Sequence, residues 1–392
     1  MMILKFPKNF LWGTATSAYQ VEGGIKNCDW AKWKDAGLAC DHYHRYEEDF
    51  DLAKNILHNN AHRFSIEWSR IEPRKGKWDL KEIEHYKKVL LALNKRNLKP
   101  FITLHHFTNP LWLVDEGGWE NKKVIDYFAR YAEFVVKNLG EYVDFWMTIN
   151  EPLVYIGQGY LDCKWPPGKK NIFKALRVLS NMIKAHKAAH KIIQKIDPTA
   201  KISIATNNIF FEPYKEKSFL DKFSVSLSSY FWNRYFLNKV KKYSDFIGLN
   251  YYFHNKIKFP LKIKDHNILT FDNSMTSDLG WEIYPKGIYY VLKELQRYKK
   301  PIYIMENGIA DAKDKYCSEF IIDHLKWVHK AIQEGVDIRG YFHWSLIDNF
   351  EWAEGFEPHF GLIAVNLNTL KRTPYRASKV YGKICQNNSI IQ

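Results

Sequence analysis

The sequence of 392 residues is poor in several features that would have pointed to a function class at once. It has five cysteines, at positions 28, 40, 163, 317 and 385. That number is odd and no C-x-x-C pair occurs, which argues against a disulfide framework and against a structural zinc site. No glycine-rich phosphate fingerprint follows a strand pattern, so an open dinucleotide-binding sheet lacks its best signal. No apolar run approaches the ~18 residues of a membrane span. The start, Met1-Met2-Ile3-Leu4-Lys5, runs straight into an aromatic segment and leaves no room for the charged and apolar regions of a secretory leader. A reducing, cytoplasmic compartment with no membrane partner is the expectation.

Long basic runs are missing too. Lys and Arg outnumber Asp and Glu by 58 to 43, a net charge of +15. The lysines are nevertheless spread as singles and pairs, such as Lys87-Lys88, Lys122-Lys123 and Lys241-Lys242. This describes a solvated basic surface that permits weak association with anionic surfaces, and it predicts no nucleic-acid partner. Aromatic residues, in contrast, are plentiful. They make up 16% of the chain, an excess of flat apolar faces with polar edges to be used in a core or around a ligand such as a sugar.

Eight short apolar runs recur, at 10–17, 61–68, 99–106, 144–151, 201–208, 245–252, 302–308 and 338–345, each reading as a buried parallel strand. Between them lie stretches of helical periodicity, for example Ile83, Tyr86, Val89, Leu90 and Leu93 on one face. Regular alternation with no Ser/Pro-rich linker predicts an α/β fold, one closed (β/α)8 TIM barrel spanning 1–392 as a single catalytic domain, with a doubly wound sheet as the alternative.

In such a barrel the site lies at the C-terminal ends of the strands. Those ends read Arg63 to Trp68, His105-His106, Asn150-Glu151, Asn207-Asn208, Asn250-Tyr251-Tyr252, Glu306-Asn307 and His343-Trp344. Any one of them has a plain structural reading, since Asn terminates strands and a lone His is often a bonded core residue. Seven directed into one mouth are harder to explain that way. Two of these ends carry a glutamate, Glu151 and Glu306. Paired carboxyls across a pocket suit acetal hydrolysis, one protonating the leaving oxygen and the other attacking the anomeric carbon. Their environments must then separate their pKa values. Arg63 is the cation expected to hold one of them ionised, with Tyr252 donating to the same oxygen. Spacing does not decide which glutamate Arg63 serves.

Four motifs together resemble glycoside hydrolase family one, the β-glucosidase and β-galactosidase type: Phe10 to Gly23, Thr148 to Pro152, Ile304 to Gly308, and His343 to Gly355. The resemblance runs from about Phe10 to about Lys383. It implies a retaining double displacement with Glu151 as acid/base and Glu306 as nucleophile. It pairs Arg63 and Tyr252 with the nucleophile, and it adds Asn150 and Asn250 as catalytic support. It further implies a sugar pocket of Gln20, His106, Glu351 and Trp352, with Trp344 as an aromatic floor and Phe360 beside the 6-hydroxyl. Asn150 would meet the 2-hydroxyl. Relatives acting on 6-phosphorylated sugars usually carry serine at position 351, and plant relatives acting on glucosinolates replace the acid/base by glutamine. Glu351 and Glu151 therefore imply hydrolysis of neutral, unphosphorylated β-glycosides or oligosaccharides without a cofactor, with a transglycosidase or a weakly hydrolytic carbohydrate-binding relative as the alternative.

The remaining candidates are expected to be structural. His186 with His190, and His42 with His44, lack the H-E-x-x-H pattern or a cysteine partner, so no metal is predicted. His105 is expected to brace His106. Trp68, Trp112, Trp119 and Trp146 read as core or rim, and Trp165 to Gly168 as a loop shaping the mouth. One departure from the family stands out. Asn208 and Asp245 bracket a connection between the fifth and sixth strands that is shorter than usual by roughly thirty residues. This should open the leaving-group side, where Leu153 stands in place of a tryptophan found in many relatives, and an uncovered groove there leaves room for a homo-oligomer.

Overall fold

The computed structural model describes residues 3–260 and 275–391; the rest of the expected 1–392 domain lies outside the described residues. Its centre is a closed barrel of eight parallel strands: β1 (Leu11–Ala15), β2 (Ala61–Ser65), β3 (Lys99–His105), β4 (Phe145–Asn150), β5 (Lys201–Asn207), β6 (Ile247–Asn250), β7 (Ile302–Asn307) and β8 (Ile338–Trp344). Neighbours in sequence are neighbours in space, and β8 closes on β1 through pairs such as His343 with Thr14. All eight predicted runs are strands of this barrel. Burial on both faces explains their unbroken apolar character.

Eight helical segments surround the strands: α1 (His42–Asn55), α2 (Leu80–Lys95), α3 (Val124–Leu139), α4 (Ile172–Ile196), α5 (Phe219–Ser229), α6 (Lys286–Leu295), α7 (Cys317–Gln333) and α8 (Arg376–Asn387). Helix α2 starts where the Asp79 side chain accepts a hydrogen bond from the Lys81 amide at 2.9 Å, and it buries Ile83, Tyr86, Val89, Leu90 and Leu93 as one stripe. The two ends of the chain meet as Ile3–Lys5 pairs antiparallel with Ser389–Ile391.

Inside the barrel, Ala15, Ala61 and Ala205 leave room for Phe101, Met147, Phe246, Met305 and Phe342, which form one cluster separate from the strand–helix layer. Gly13 belongs to this fit, because a Cβ there would stand 2.5 Å from the Phe342 ring. The plug leaves the C-terminal strand ends to polar residues. The short β5–β6 connection keeps a strand, Phe210–Pro213, paired in parallel with His254–Ile257, and then α5 and a helical stretch to Val240. The strand–helix alternation is therefore unbroken despite the shortened connection. Among the described residues no helix is long and apolar enough to cross a membrane.

Candidate active site

Glu151 follows β4 directly. Its backbone lies in the left-handed region at φ +42°, its amide donates to the Ala205 carbonyl at 2.8 Å, and Pro152 opens the helix Pro152–Ile156. The abrupt turn from strand to helix leaves the carboxyl at the barrel mouth. Glu306 lies within β7, opposite Asn250 of β6. Two residues on, a Cβ on Gly308 would come within 1.8 Å of the Trp344 carbonyl oxygen, so glycine allows β7 and β8 to approach this closely below the site.

The open question about Arg63 is answered by geometry. This fully buried guanidinium donates through Nη1 to Glu306 Oε1, through Nη2 to Asn150 Oδ1 at 2.6 Å, and through Nε to Thr103 Oγ1 at 3.1 Å. Tyr252 donates to Glu306 Oε2 at 2.9 Å, the other oxygen rather than the one Arg63 holds. Glu306 thus has a cation on one oxygen and a phenol on the other. Glu151 has neither. Its Oε1 accepts from Asn250 Nδ2 at 2.7 Å and from Asn207 Nδ2 at 3.1 Å, two neutral donors.

Burial, and after it the charge of Glu306, pushes the Glu151 carboxyl up to about 8. Burial raises Glu306 as well, opposed by the charge and hydrogen bond of Arg63 and by the Tyr252 and Asn250 donors. A single proton shared by the pair therefore resides on Glu151, which is buried and has no cation bonded to it. Burial foremost, and then the charges of Glu306 and Glu151, holds Tyr252 well above its ordinary value, so it remains a donor.

The other expected site residues gather around this pair. Gln20, in the short helix Ala18–Val21, donates to Glu351 Oε2 at 3.2 Å and to the Phe350 carbonyl at 2.8 Å, while its Oε1 accepts from Ser17 Oγ at 2.6 Å. Glu351 is pushed up to about 8 by burial and then by the charges of Glu306 and Glu151. His106 lies nearly parallel to Trp344 and Trp352, with ring centres 5.9 and 6.0 Å away, and its Nε2 meets Asn150 Nδ2 at 3.2 Å. Burial, followed by the Arg63 charge, holds this imidazole well below its usual range and keeps it neutral. Phe360 is buried beside Tyr252 and Trp281. The result is a cluster of carboxyls and amides beside the parallel rings of His106, Trp344 and Trp352, a set of groups suited to a polyhydroxylated ring.

Three residues of this arrangement escaped the predicted set. Asn207 was visible as a strand end, but nothing marked it as a donor to Glu151. Thr103 lies in mid-strand, where a hydroxyl among apolar residues gives no signal of its contact with Arg63. Trp281 belongs to a segment with no strand pattern. The expected bystanders are engaged elsewhere. His42 bonds Asp49, His44 bonds Asp41, and His186 bonds Thr148 and the Tyr243 carbonyl. His105 braces against Asn109 and Trp119 beside His106. Trp68, Trp119 and Trp146 are buried in the core, and Trp112 is tied to the Glu72 carbonyl. Trp165 packs on Phe107 and Trp352. Among the described residues no three His, Cys, Asp or Glu side chains are grouped to hold a metal.

Comparison with known proteins agrees with this geometry. The model of glycosyl hydrolase family 1 matches residues 2–242 and 237–390. Beta-glucosidase A of Thermotoga maritima is 34% identical over 449 aligned positions that cover all of both chains. Against 392 residues here, at least 449 − 392 = 57 of those positions have no counterpart in this chain, in keeping with its shortened connection. Among solved structures, a beta-glycosidase from Pyrococcus horikoshii superposes with a TM-score of 0.93 at 38% identity, covering 100% of this chain and 97% of that one. The Thermotoga maritima beta-glucosidase in complex with castanospermine superposes with a TM-score of 0.91 at 32% identity, over 99% of this chain and 100% of its own. By its sequence match, its closed barrel and the two glutamates at its mouth, this chain belongs to glycosyl hydrolase family 1.

Proposed function

We propose that the protein removes terminal, unphosphorylated β-D-glycosyl residues from small glycosides or oligosaccharides, β-glucosides foremost and β-galactosides or β-fucosides in the same pocket, with retention of configuration. The observation that carries this reading is the unequal provision for two buried glutamates, with Arg63 and Tyr252 on Glu306 and only amides on Glu151. Glu151, protonated at neutral pH, gives its proton to the leaving oxygen while a Glu306 oxygen bonds to the anomeric carbon and the C–O bond to the leaving group breaks. The leaving group departs as an alcohol, and the sugar remains as an ester of Glu306. Glu151, now a carboxylate, takes a proton from water as the water oxygen attacks the same carbon, releasing the sugar and restoring both groups. Two inversions give retention. Arg63 serves both steps, first holding Glu306 ionised for attack and then accepting it as a leaving carboxylate.

Substrate charge follows from the same carboxylates. Arg63 is committed to Glu306, and Glu351 is met by the neutral amide of Gln20, so a 6-phosphate entering beside Glu351 would lose its hydration with no bonded cation to replace it. Four of the five cysteines are buried free thiols, which supports a reducing, cytoplasmic setting for the single catalytic domain.

Azide rescue with an aryl β-glucoside tests the roles. Glu306→Ala should abolish turnover and, with azide, yield the α-glycosyl azide; Glu151→Ala with azide should yield the β-glycosyl azide. The reverse pattern would exchange the two roles, and a wild type that releases nothing from any aryl β-glycoside would refute hydrolysis.

A further inference from the structure

Helix α5 presents its faces the wrong way round for a soluble barrel. Asp221 and Ser224 are buried, whereas Phe219, Phe223 and Leu227, at helical spacing, face outward at 79%, 56% and 37% exposure. The outward stripe continues through Tyr230 and Phe231, whose rings lie 5.3 Å apart, and on to Tyr235, 6.3 Å from Phe231. Tyr235 lines a surface groove with Leu176, Leu179 and Ile183 of α4, and one turn before Leu176 stands Phe173 at 78% exposure. The four phenylalanines 173, 219, 223 and 231 together present on the order of 500 Å² at roughly 200 Å² per ring side chain, an exposed apolar area of the size that marks interaction sites.

Charge decides between the occupants. The two stretches that carry the patch, 164–187 and 214–242, contain seven basic residues against no acid and seven against two, so they hold +12 of the net +15. Some of this charge is paired on the protein: Lys169 and Lys174 with Glu120, and Arg234 with Glu294. The excess still surrounds the patch. A second copy docked by the same face would bring two such basic fringes together. An anionic bilayer offers the complement, with negative headgroups for the lysines and an acyl boundary for the rings.

We propose that this face docks the enzyme on the surface of an anionic lipid bilayer, α5 lying in the interface with Phe219, Phe223 and Phe231 inserted. Nothing spans the membrane in this arrangement, and association is reversible by salt. The test is co-sedimentation of the full chain with phosphatidylcholine vesicles containing or lacking phosphatidylglycerol, with hydrolysis of an aryl glucoside as the control for folding. The wild type should bind the anionic vesicles, release on added salt, and bind neutral vesicles weakly. The triple variant Phe219→Gln, Phe223→Gln, Phe231→Gln should lose about a hundredfold in partitioning with aryl glucosidase activity unchanged. Equal binding by wild type and triple variant, or no preference for anionic vesicles, would overturn the proposal. So would a vesicle-free dimer in sedimentation velocity that the triple variant abolishes, since the occupant would then be a second copy.

Discussion

Asn207 offers a sharp test of how the acid is tuned. Its amide donates to Glu151 Oε1 at 3.1 Å beside the 2.7 Å bond from Asn250. Both donors favour the ionised carboxylate and so hold the Glu151 value below what burial and Glu306 would produce. Removing one must therefore raise it. A hydrogen bond to a charged group contributes about 1.5–3 kcal/mol, and about 1.36 kcal/mol corresponds to one pKa unit. With the shorter Asn250 bond retained and water free to enter the gap left by Asn207→Ala, the lower end of that range applies. The Glu151 value should then move from about 8 to about 9. In kcat/KM against pH the alkaline limb reports loss of the proton from the acid in the free enzyme, so the limb shifts upward by about one unit. An alkyl β-glucoside, whose poor leaving group needs the proton, should show the whole shift. A dinitrophenyl β-glucoside, which leaves without protonation, should show little. A limb that stays in place or moves to lower pH would refute the argument, as would an equal shift with both substrates.

Two further perturbations address specificity and stability. Glu351→Ser removes the carboxyl that meets Gln20, and should lower kcat/KM for a neutral aryl glucoside by about a hundredfold or more while raising the ratio of 6-phosphoglucoside to glucoside hydrolysis; an unchanged ratio would count against Glu351 as the discriminating group. Arg372→Ala strips two hydrogen bonds, at 2.9 and 3.1 Å, from the buried Asp49, which also bonds His42, and should destabilise the fold by about 3–5 kcal/mol in denaturant titration at neutral pH. Burial raises Asp49, but the bonds from His42 and Arg372 more than reverse it, so its value is lowered. The stability it contributes is complete above the ordinary carboxylate value near pH 4 and is lost as pH falls through the lowered one, so the difference between variant and wild type should shrink in acid.

Much of the site was legible because barrel geometry converts a position in sequence into a position in space. A polar residue after a buried parallel run must appear at the mouth, so Glu151, Asn250, Glu306 and Trp344 were found by asking where apolar runs stop. Gln20, Glu351 and Phe360 lie outside the apolar runs and came only through the resemblance. Thr103 was invisible because a contact with Arg63 from the adjacent strand depends on side-chain direction, which period-two alternation predicts only as inside or outside.

Sequence alone determined the number and order of strands, the carboxylate pair and the aromatic surplus, because each is written locally, in hydrophobic period, in residue type or in composition. What tertiary structure decided was the difference between the two glutamates. The Arg63 guanidinium lies 88 positions before Glu151 and 243 before Glu306, yet closure of the barrel sets it against Glu306 and leaves Glu151 to neutral amides. Electrostatic interaction depends on distance and burial rather than on order along the chain, so that asymmetry exists only once β2 and β7 are brought round the same mouth.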